Sequence, residues 1–190
     1  MHCVAALCSL AMDSTAALLE TARLELRPIT REQALAILEG RRREEIEKLV
    51  GAEMPWAWPT SMLVEQVFRA SVDAVRKDPE ARLWGDRFIV VRSGAPRVVG
   101  SVIFHGRPGE DGVCEMGYGI EEMSQNRGYG TEALAASVKW ALEQPECKII
   151  RCETSAWPKP SLRGLAKVGF TPPGSRETED GKMLVYEIAK

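Results

Sequence analysis

The chain has 190 residues, of which 45% are apolar and 27% charged; this is the length of one globular domain with a sizeable core, and it excludes disordered, collagen-like and coiled-coil chains. Its 25 Lys and Arg against 27 Asp and Glu leave a net charge of -2, which lacks the basic field of a protein that binds nucleic-acid backbones. Cys3, Cys8, Cys114, Cys147 and Cys152 form no CxxC and have no nearby His pair, so neither a metal site nor a disulfide framework is expected, and a reducing cytoplasm is the expected compartment.

Residues 1–20 read as an extension, disordered or packed, ahead of a domain at 21–190. The apolar start MHCVAALCSLAM has no basic n-region and is too short to span a bilayer, so no membrane association is expected. Leu24 and Leu26 alternate with Arg23, Glu25 and Arg27, the period of a half-buried strand that Pro28 ends. Thr30 and Gln33 then form a capping-box pattern for a helix that Gly40 stops. Arg41 to Val50 reads as a second helix with compensating charges, and from Ser61 the stripe Val64, Phe68, Ser71, Val72 and Val75 predicts a third that ends at Asp78-Pro79.

Arg87 to Val91 and Arg97 to His105 are β-branched runs around Ser93-Gly94-Ala95-Pro96, the composition of a hairpin. Val113 to Ile120 is a further strand, and Gly128 to Glu143 a helix with Leu134, Val138, Ala141 and Leu142 on one face. A strand at Lys148 to Thr154, a helix at Ser161 to Val168 and a strand at Met183 to Ile188 follow. The order β-α-α-β-β-β-α-β-α-β is α/β, too strand-rich in its middle for a strict βαβ repeat.

Gln125-Asn126-Arg127-Gly128-Tyr129-Gly130-Thr131 lies between a strand and an amphipathic helix. Glycines there let backbone approach a ligand, and the orphan N–H groups of the helix's first turn make an anion site from main chain. The stretch is neither G-x-G-x-x-G nor a P-loop.

Gln125, Gly128 and Gly130 fit the pyrophosphate loop of the GNAT superfamily of acetyl-CoA-dependent N-acetyltransferases. TARLELRPIT, CEMGYGI, GYGTEAL and SLRGLAKVGF together resemble its ribosomal-protein N-terminal acetyltransferase branch, the RimJ/RimL type. The resemblance implies a single α/β (α+β) domain: a mixed, mostly antiparallel twisted sheet of about six to seven strands with helices on both faces. It also implies that the strand at Val113 to Ile120 splays from the one at Lys148 to Thr154. Acetyl-CoA is the implied cosubstrate, held without metal by Gln125, Asn126, Arg127, Gly128, Tyr129, Gly130 and Thr131, with its pantetheine arm along Tyr118, Gly119 and Ile120 and a contact at Ser161.

Transfer to an amine requires the neutral amine, yet alkylamines are mostly protonated at neutral pH. A carboxylate raised by burial can take that proton. Glu115, in the Glu-x-Gly-Tyr pattern, is the first choice and Glu153 on the neighbouring strand the alternative; a strand-edge or salt-bridged acid is the competing account of Glu115. A backbone N–H near Tyr118 would hold the oxyanion. Two positions depart from the family pattern: Leu165 stands where many members carry a tyrosine acid, and Pro158 where the ribosomal branch often has Asn.

Trp56 and Trp58 are expected at the acceptor cleft, or else to pin two helices to the sheet. The acceptor is a protein or peptide N-terminal amine by the branch resemblance, a small-molecule amine such as an antibiotic or polyamine otherwise. A CoA-binding regulatory module without chemistry is the reading from another class. Nucleic-acid partners are not expected, and the chain is a monomer or homodimer.

Overall fold

Leu24 and Leu26 are fully buried while their charged neighbours face outward, which is why the chain turns strand there. In the computed structural model of the protein, which describes residues 17–56, 72–155, 160–171, 174–178 and 181–190, this strand is β2 (Leu24–Pro28). A two-residue strand β1 (Leu19–Glu20) pairs with it, Leu19 opposite Leu26 and Glu20 opposite Glu25. The sheet thus includes two residues that the sequence pattern assigned to the extension. Two residues are too few to show a hydrophobic period, yet they suffice to cover an open strand edge.

Helix α1 (Arg31–Leu38) starts with the expected box: the Gln33 amide donates to Thr30 Oγ1 at 3.2 Å, and the Thr30 amide to Gln33 Oε1 at 3.0 Å. Helix α2 (Arg43–Val50) carries the ion pairs Arg42–Glu45 and Arg43–Glu47 and ends at Gly51 in the left-handed conformation. Of the helix expected from Ser61, only α3 (Val72–Lys77) lies within the described residues. Pro79 does not close the helical region. Asp78 accepts the Ala81 amide at 3.0 Å and α4 (Pro79–Arg82) begins, because proline suits the first position of a helix.

Strands β3 (Arg87–Val91), β4 (Arg97–Phe104) and β5 (Val113–Ile120) form an antiparallel meander. A 3-10 turn at Glu122–Ser124 leads to helix α5 (Tyr129–Glu143), then β6 (Ile149–Ser155), helix α6 (Pro160–Val168), β7 (Gly174–Thr178) and β8 (Gly181–Ala189). Among the described residues, eight strands lie in the order β1-β2-β3-β4-β5-β6-β8-β7, and β5 against β6 is the one parallel pairing between these strands. The sheet exceeds the expected size through β1 and β7. The latter, GSRET, is polar on both faces because it is an exposed edge, so no alternation announced it.

Alternate residues of the central strands feed two cores. Ile89, Val99, Phe104, Cys114 and Met116 join Leu134 and Val138 of α5 and Leu165 of α6 on one face. Phe88, Val90, Val98 and Ile103 join Ala34 and Ile37 of α1, Ile46 of α2 and Val75 of α3 on the other. Trp84 and Trp140 pack at 4.9 Å between ring centres, as expected of core aromatics, and Cys114, Cys147 and Cys152 are buried free thiols. Trp157 and Pro158 lie outside the described residues.

Candidate active site

The parallel register of β5 and β6 runs only from Val113 opposite Ile149 to Glu115 opposite Arg151. Beyond it β5 stays on β4 as far as Ile120, while β6 continues on β8 to Ser155, so the two strands part. The His105 amide donates to Glu115 O and the Glu121 amide to Val99 O, both toward β4. Antiparallel alternation therefore turns the backbone groups of Met116, Tyr118 and Ile120 toward the opening. That is the splay the sequence resemblance implied.

A cavity of about 490 Å³ extends this opening, lined by Tyr118, Gly119, Ile120, Ser124, Gln125, Asn126, Gly128, Tyr129, Gly130, Thr131, Arg163, Gly164 and Lys167. Its wall is the start of α5. The first intrahelical bond runs from the Glu132 amide to Gly128 O at 3.1 Å, which leaves the Gly128, Tyr129, Gly130 and Thr131 amides as the orphan donors of the first turn, and Gly128 offers no side-chain cap. Asn126 and Gly128 are both left-handed, at φ 59 and 81. Gln125 Nε2 donates to Ile120 O at 3.0 Å, tying the loop back to the end of β5.

The turn before the loop is also fixed. Glu121 accepts from Arg97 Nη1 at 2.9 Å, from the Met123 amide at 2.9 Å and from Ser124 Oγ, while Arg97 Nη2 donates to Ser124 Oγ at 2.9 Å. Burial alone would raise the Glu121 carboxyl; these donors outweigh it and hold it below the ordinary carboxylate range.

The opposite wall comes from α6, where Arg163 and Lys167 lie one turn apart and both face the cavity. Sequence reasoning used this helix for its SLRGLAKVGF match, for Ser161 and for Leu165, and gave Arg163 and Lys167 no role of their own, although their i,i+4 spacing places them on one face. Among the described residues, the cavity lining contains two cations and no Asp or Glu. Gly130 and Gly164 have a packing reason: a Cβ on Gly130 would stand 3.0 Å from the Tyr118 ring, and one on Gly164 2.6 Å from the Tyr118 hydroxyl. Burial pushes that phenol up to about 12, with Cys152 adding to it.

Most of the expected loop and strand residues thus meet at one cavity, and the others are placed as follows. Arg127 contributes its carbonyl to Arg23 Nη1 at 2.8 Å and does not line the cavity. Ser161 lies in α6, with only its backbone described. Glu115 sits at the last β5/β6 pair, but its side chain is 45% exposed and lies 3.5 Å from His105 Nδ1 and 3.9 Å from Arg151 Nη1. The burial expected of it is absent, because its alternate neighbours Cys114 and Met116, not Glu115, point into the core. It lines a separate hollow of about 210 Å³ with His105, Arg107, Asp111 and Arg151. Glu153 is held by Arg176, whose Nε donates to its two oxygens at 3.0 and 3.2 Å.

Trp56 is 91% exposed, with the Arg43 guanidinium 5.5 Å from its ring centre. It pins no helices. Its segment is held instead by β4, the Glu53 amide donating to Pro96 O and the Val98 amide to Glu53 O, each at 2.9 Å. Trp58 lies outside the described residues. Leu165 is 2% exposed in the core and presents no polar group to the cavity.

A family model for the GNAT acetyltransferase domain matches residues 23–171. An uncharacterised N-acetyltransferase, YjdG of Bacillus subtilis, is 29% identical over 157 residues, which covers 80% of this chain and 89% of that one. Among solved structures, a GNAT-family acetyltransferase from Bacillus anthracis is 19% identical, with a TM-score of 0.59 over 91% of this chain and 98% of its own. The ribosomal L7/L12 alpha-N-protein acetyltransferase RimL, in complex with coenzyme A, is 13% identical, with a TM-score of 0.61 over 91% and 98%. The aminoglycoside acetyltransferase AAC(6')-Ib, in complex with coenzyme A and kanamycin, is 21% identical, with a TM-score of 0.55 over 88% and 95%. With three quarters of its length under one family model and the strands parted beside an amide-rich helix start, the chain belongs to the GNAT acetyltransferase family.

Proposed function

We propose that the protein transfers an acetyl group from acetyl-CoA to the primary amine of a protein or peptide N-terminus, as the RimJ/RimL-type motifs suggest. One observation carries the cosubstrate reading: the orphan amides of Gly128 to Thr131 open into a cavity lined, among the described residues, by two cations and no carboxylate, beside the end of the β5/β6 pairing. A pyrophosphate fits such a site without a metal. The turned backbone of Met116, Tyr118 and Ile120 suits an amide-bearing arm that pairs as an added strand.

When bound, acetyl-CoA supplies an activated acyl carbon and a thiolate leaving group. Glu115 accepts a proton from the incoming ammonium, directly or through a water, and frees the nitrogen lone pair. As an exposed, ion-paired carboxylate it works as a positioned acceptor instead of a burial-shifted one. A backbone N–H near Tyr118 holds the developing oxyanion. The new C–N bond replaces the C–S bond, solvent protonates the thiolate because Leu165 offers no acid, and no covalent enzyme intermediate forms. Trp56 is the proposed acceptor contact, its exposed ring offering a cation–π face of the kind the Arg43 guanidinium already uses. Glu153, engaged by Arg176, is the reserve base. The enzyme is placed in the cytoplasm, consistent with its buried free thiols.

Release of free CoA thiol, measured with acetyl-CoA against N-terminal peptides and a panel of small amines, tests the reading. Turnover on peptides is expected. Turnover confined to aminoglycosides or polyamines moves the acceptor class, and thermal stabilisation by CoA with no turnover on any acceptor leaves a CoA-binding module. Glu115→Gln is expected to lower kcat at least about tenfold with the Kd for CoA unchanged; wild-type rates across pH would pass the base role to Glu153 or water.

A further inference from the structure

The first turn of α5 holds one acid, Glu132, and its charge has the wrong sign for the ligand proposed above. An ionised carboxylate one turn into the helix competes for the positive end of the helix and repels phosphate. The surrounding hydrogen bonds leave that charge little freedom. Oε1 accepts from Thr21 Oγ1 at 2.6 Å and from the Arg23 amide at 3.0 Å; Oε2 accepts from Arg23 Nε at 2.7 Å and lies 2.6 Å from Arg23 Nη2. Both donors belong to the turn between β1 and β2, more than 100 residues away in sequence.

The same guanidinium reaches the loop itself. Its Nη1 donates to Arg127 O at 2.8 Å, its centre lies 4.8 Å from the Tyr129 ring centre, and its Nη2 would stand 3.2 Å from a Cβ on Gly128. Burial would raise the Glu132 carboxyl, but the Thr21 and Arg23 donors hold it low, so Glu132 stays ionised at neutral pH and needs a counter-charge.

We propose that Arg23 is a positioning residue for the cosubstrate: with Thr21 it clamps and neutralises Glu132, keeping the first turn of α5 receptive to the phosphates that the acetyl-CoA reading places there. Arg23 does not line the cavity and acts through Glu132. The clamp also gives the short β1–β2 hairpin a function, since the hairpin delivers both donors to a helix start it does not adjoin in sequence.

Titration calorimetry with coenzyme A on the full chain, at low and moderate salt, tests this with four variants whose folding is checked by circular dichroism. Arg23→Ala is expected to weaken the Kd about tenfold or more, most at low salt, by leaving Glu132 uncompensated. Glu132→Gln is expected to bind as tightly as wild type or more so, and the double variant Arg23→Ala/Glu132→Gln to recover to within about threefold of wild type. Arg23→Lys keeps the charge but loses the fork, and is also expected within about threefold; if Arg23→Ala fails to fold, Arg23→Gln replaces it in both the single and the double variant, with the same outcomes expected. A double variant as weak as Arg23→Ala overturns the clamp, because Arg23 then acts on the ligand or on loop shape. Glu132→Gln as weak as Arg23→Ala overturns it as well, leaving a mechanical buttress. A wild-type protein that binds no coenzyme A defeats the acetyl-CoA reading and the clamp with it, whereas normal wild-type binding with an unchanged Arg23→Ala defeats the clamp alone.

Discussion

At Gly128 the backbone turns left-handed, φ 81 with ψ 0, and passes directly into the helix start. A β-branched residue is strained there, and its Cβ would meet Arg23 Nη2 at 3.2 Å. Gly128→Val is therefore expected to abolish measurable coenzyme A binding by calorimetry while the far-ultraviolet spectrum stays native. Wild-type affinity in that variant would remove Gly128 from the anion site. This glycine was legible in the sequence because its role is local. Gly130 and Gly164 were not legible in the same way, since the atom that excludes their side chains belongs to Tyr118, which only the tertiary fold brings near. Glu115 shows the same limit from the other side. Its place on β5 followed from the motif, but its position at the last β5/β6 pair and which face of β5 is covered depend on the tertiary fold and on what α5 packs against, and the strand pattern alone does not say.

Among elements, those with a buried face and a terminal signal were readable: α1 by its capping box, α5 by its apolar stripe, and the β3–β4 hairpin by its β-branched runs. Edge strands β1 and β7 were not: β1 is too short to show a period although Leu19 packs on the core, and β7 is paired on one side with its side chains exposed, which imposes no alternation. Helix α6 was read for its motif, for Ser161 and for Leu165, and its cationic face appears only once the helix is seen across the cavity from α5. Arg163 and Lys167 there carry positive charge toward the proposed phosphates. Each Ala substitution is expected to weaken coenzyme A binding by about threefold to tenfold and to lower its salt dependence, the modest effect of an exposed phosphate contact. Calorimetry over a range of salt concentrations measures both, and an unchanged salt slope would confine these cations to solvation.

Across the whole molecule, the two cores meet the sheet near a buried charge network that the proposed reaction does not use. Asp86 and Arg87 are fully buried at the start of β3. The Asp86 carboxylate accepts the Phe104 amide at 2.6 Å and Arg82 Nη1 at 3.3 Å, while the Arg87 guanidinium lies 3.9 Å over the Trp140 ring of α5 and donates to Gly85 O at 2.7 Å. Burial pushes the Asp86 carboxyl up to about 7 even though Arg82 and Arg87 oppose it, and draws Arg87 down to about 10. The folded state therefore holds the Asp86 proton more tightly than the unfolded chain, whose carboxyl titrates near 3.8. Stability from this group is complete below that lower value and is lost as pH rises through about 7. Carboxyls held low, such as Glu121 and Glu132, contribute the opposite slope, but theirs is spent at more acid pH. From about pH 5.5, above the ordinary carboxylate range, the melting temperature of the wild type is expected to fall up to about pH 7 and to level off by about pH 8. Asp86→Asn keeps an acceptor for the Phe104 amide and cannot ionise, so its melting temperature is expected to stay nearly flat over the same range. An equal slope in both proteins would place the pH dependence outside this network.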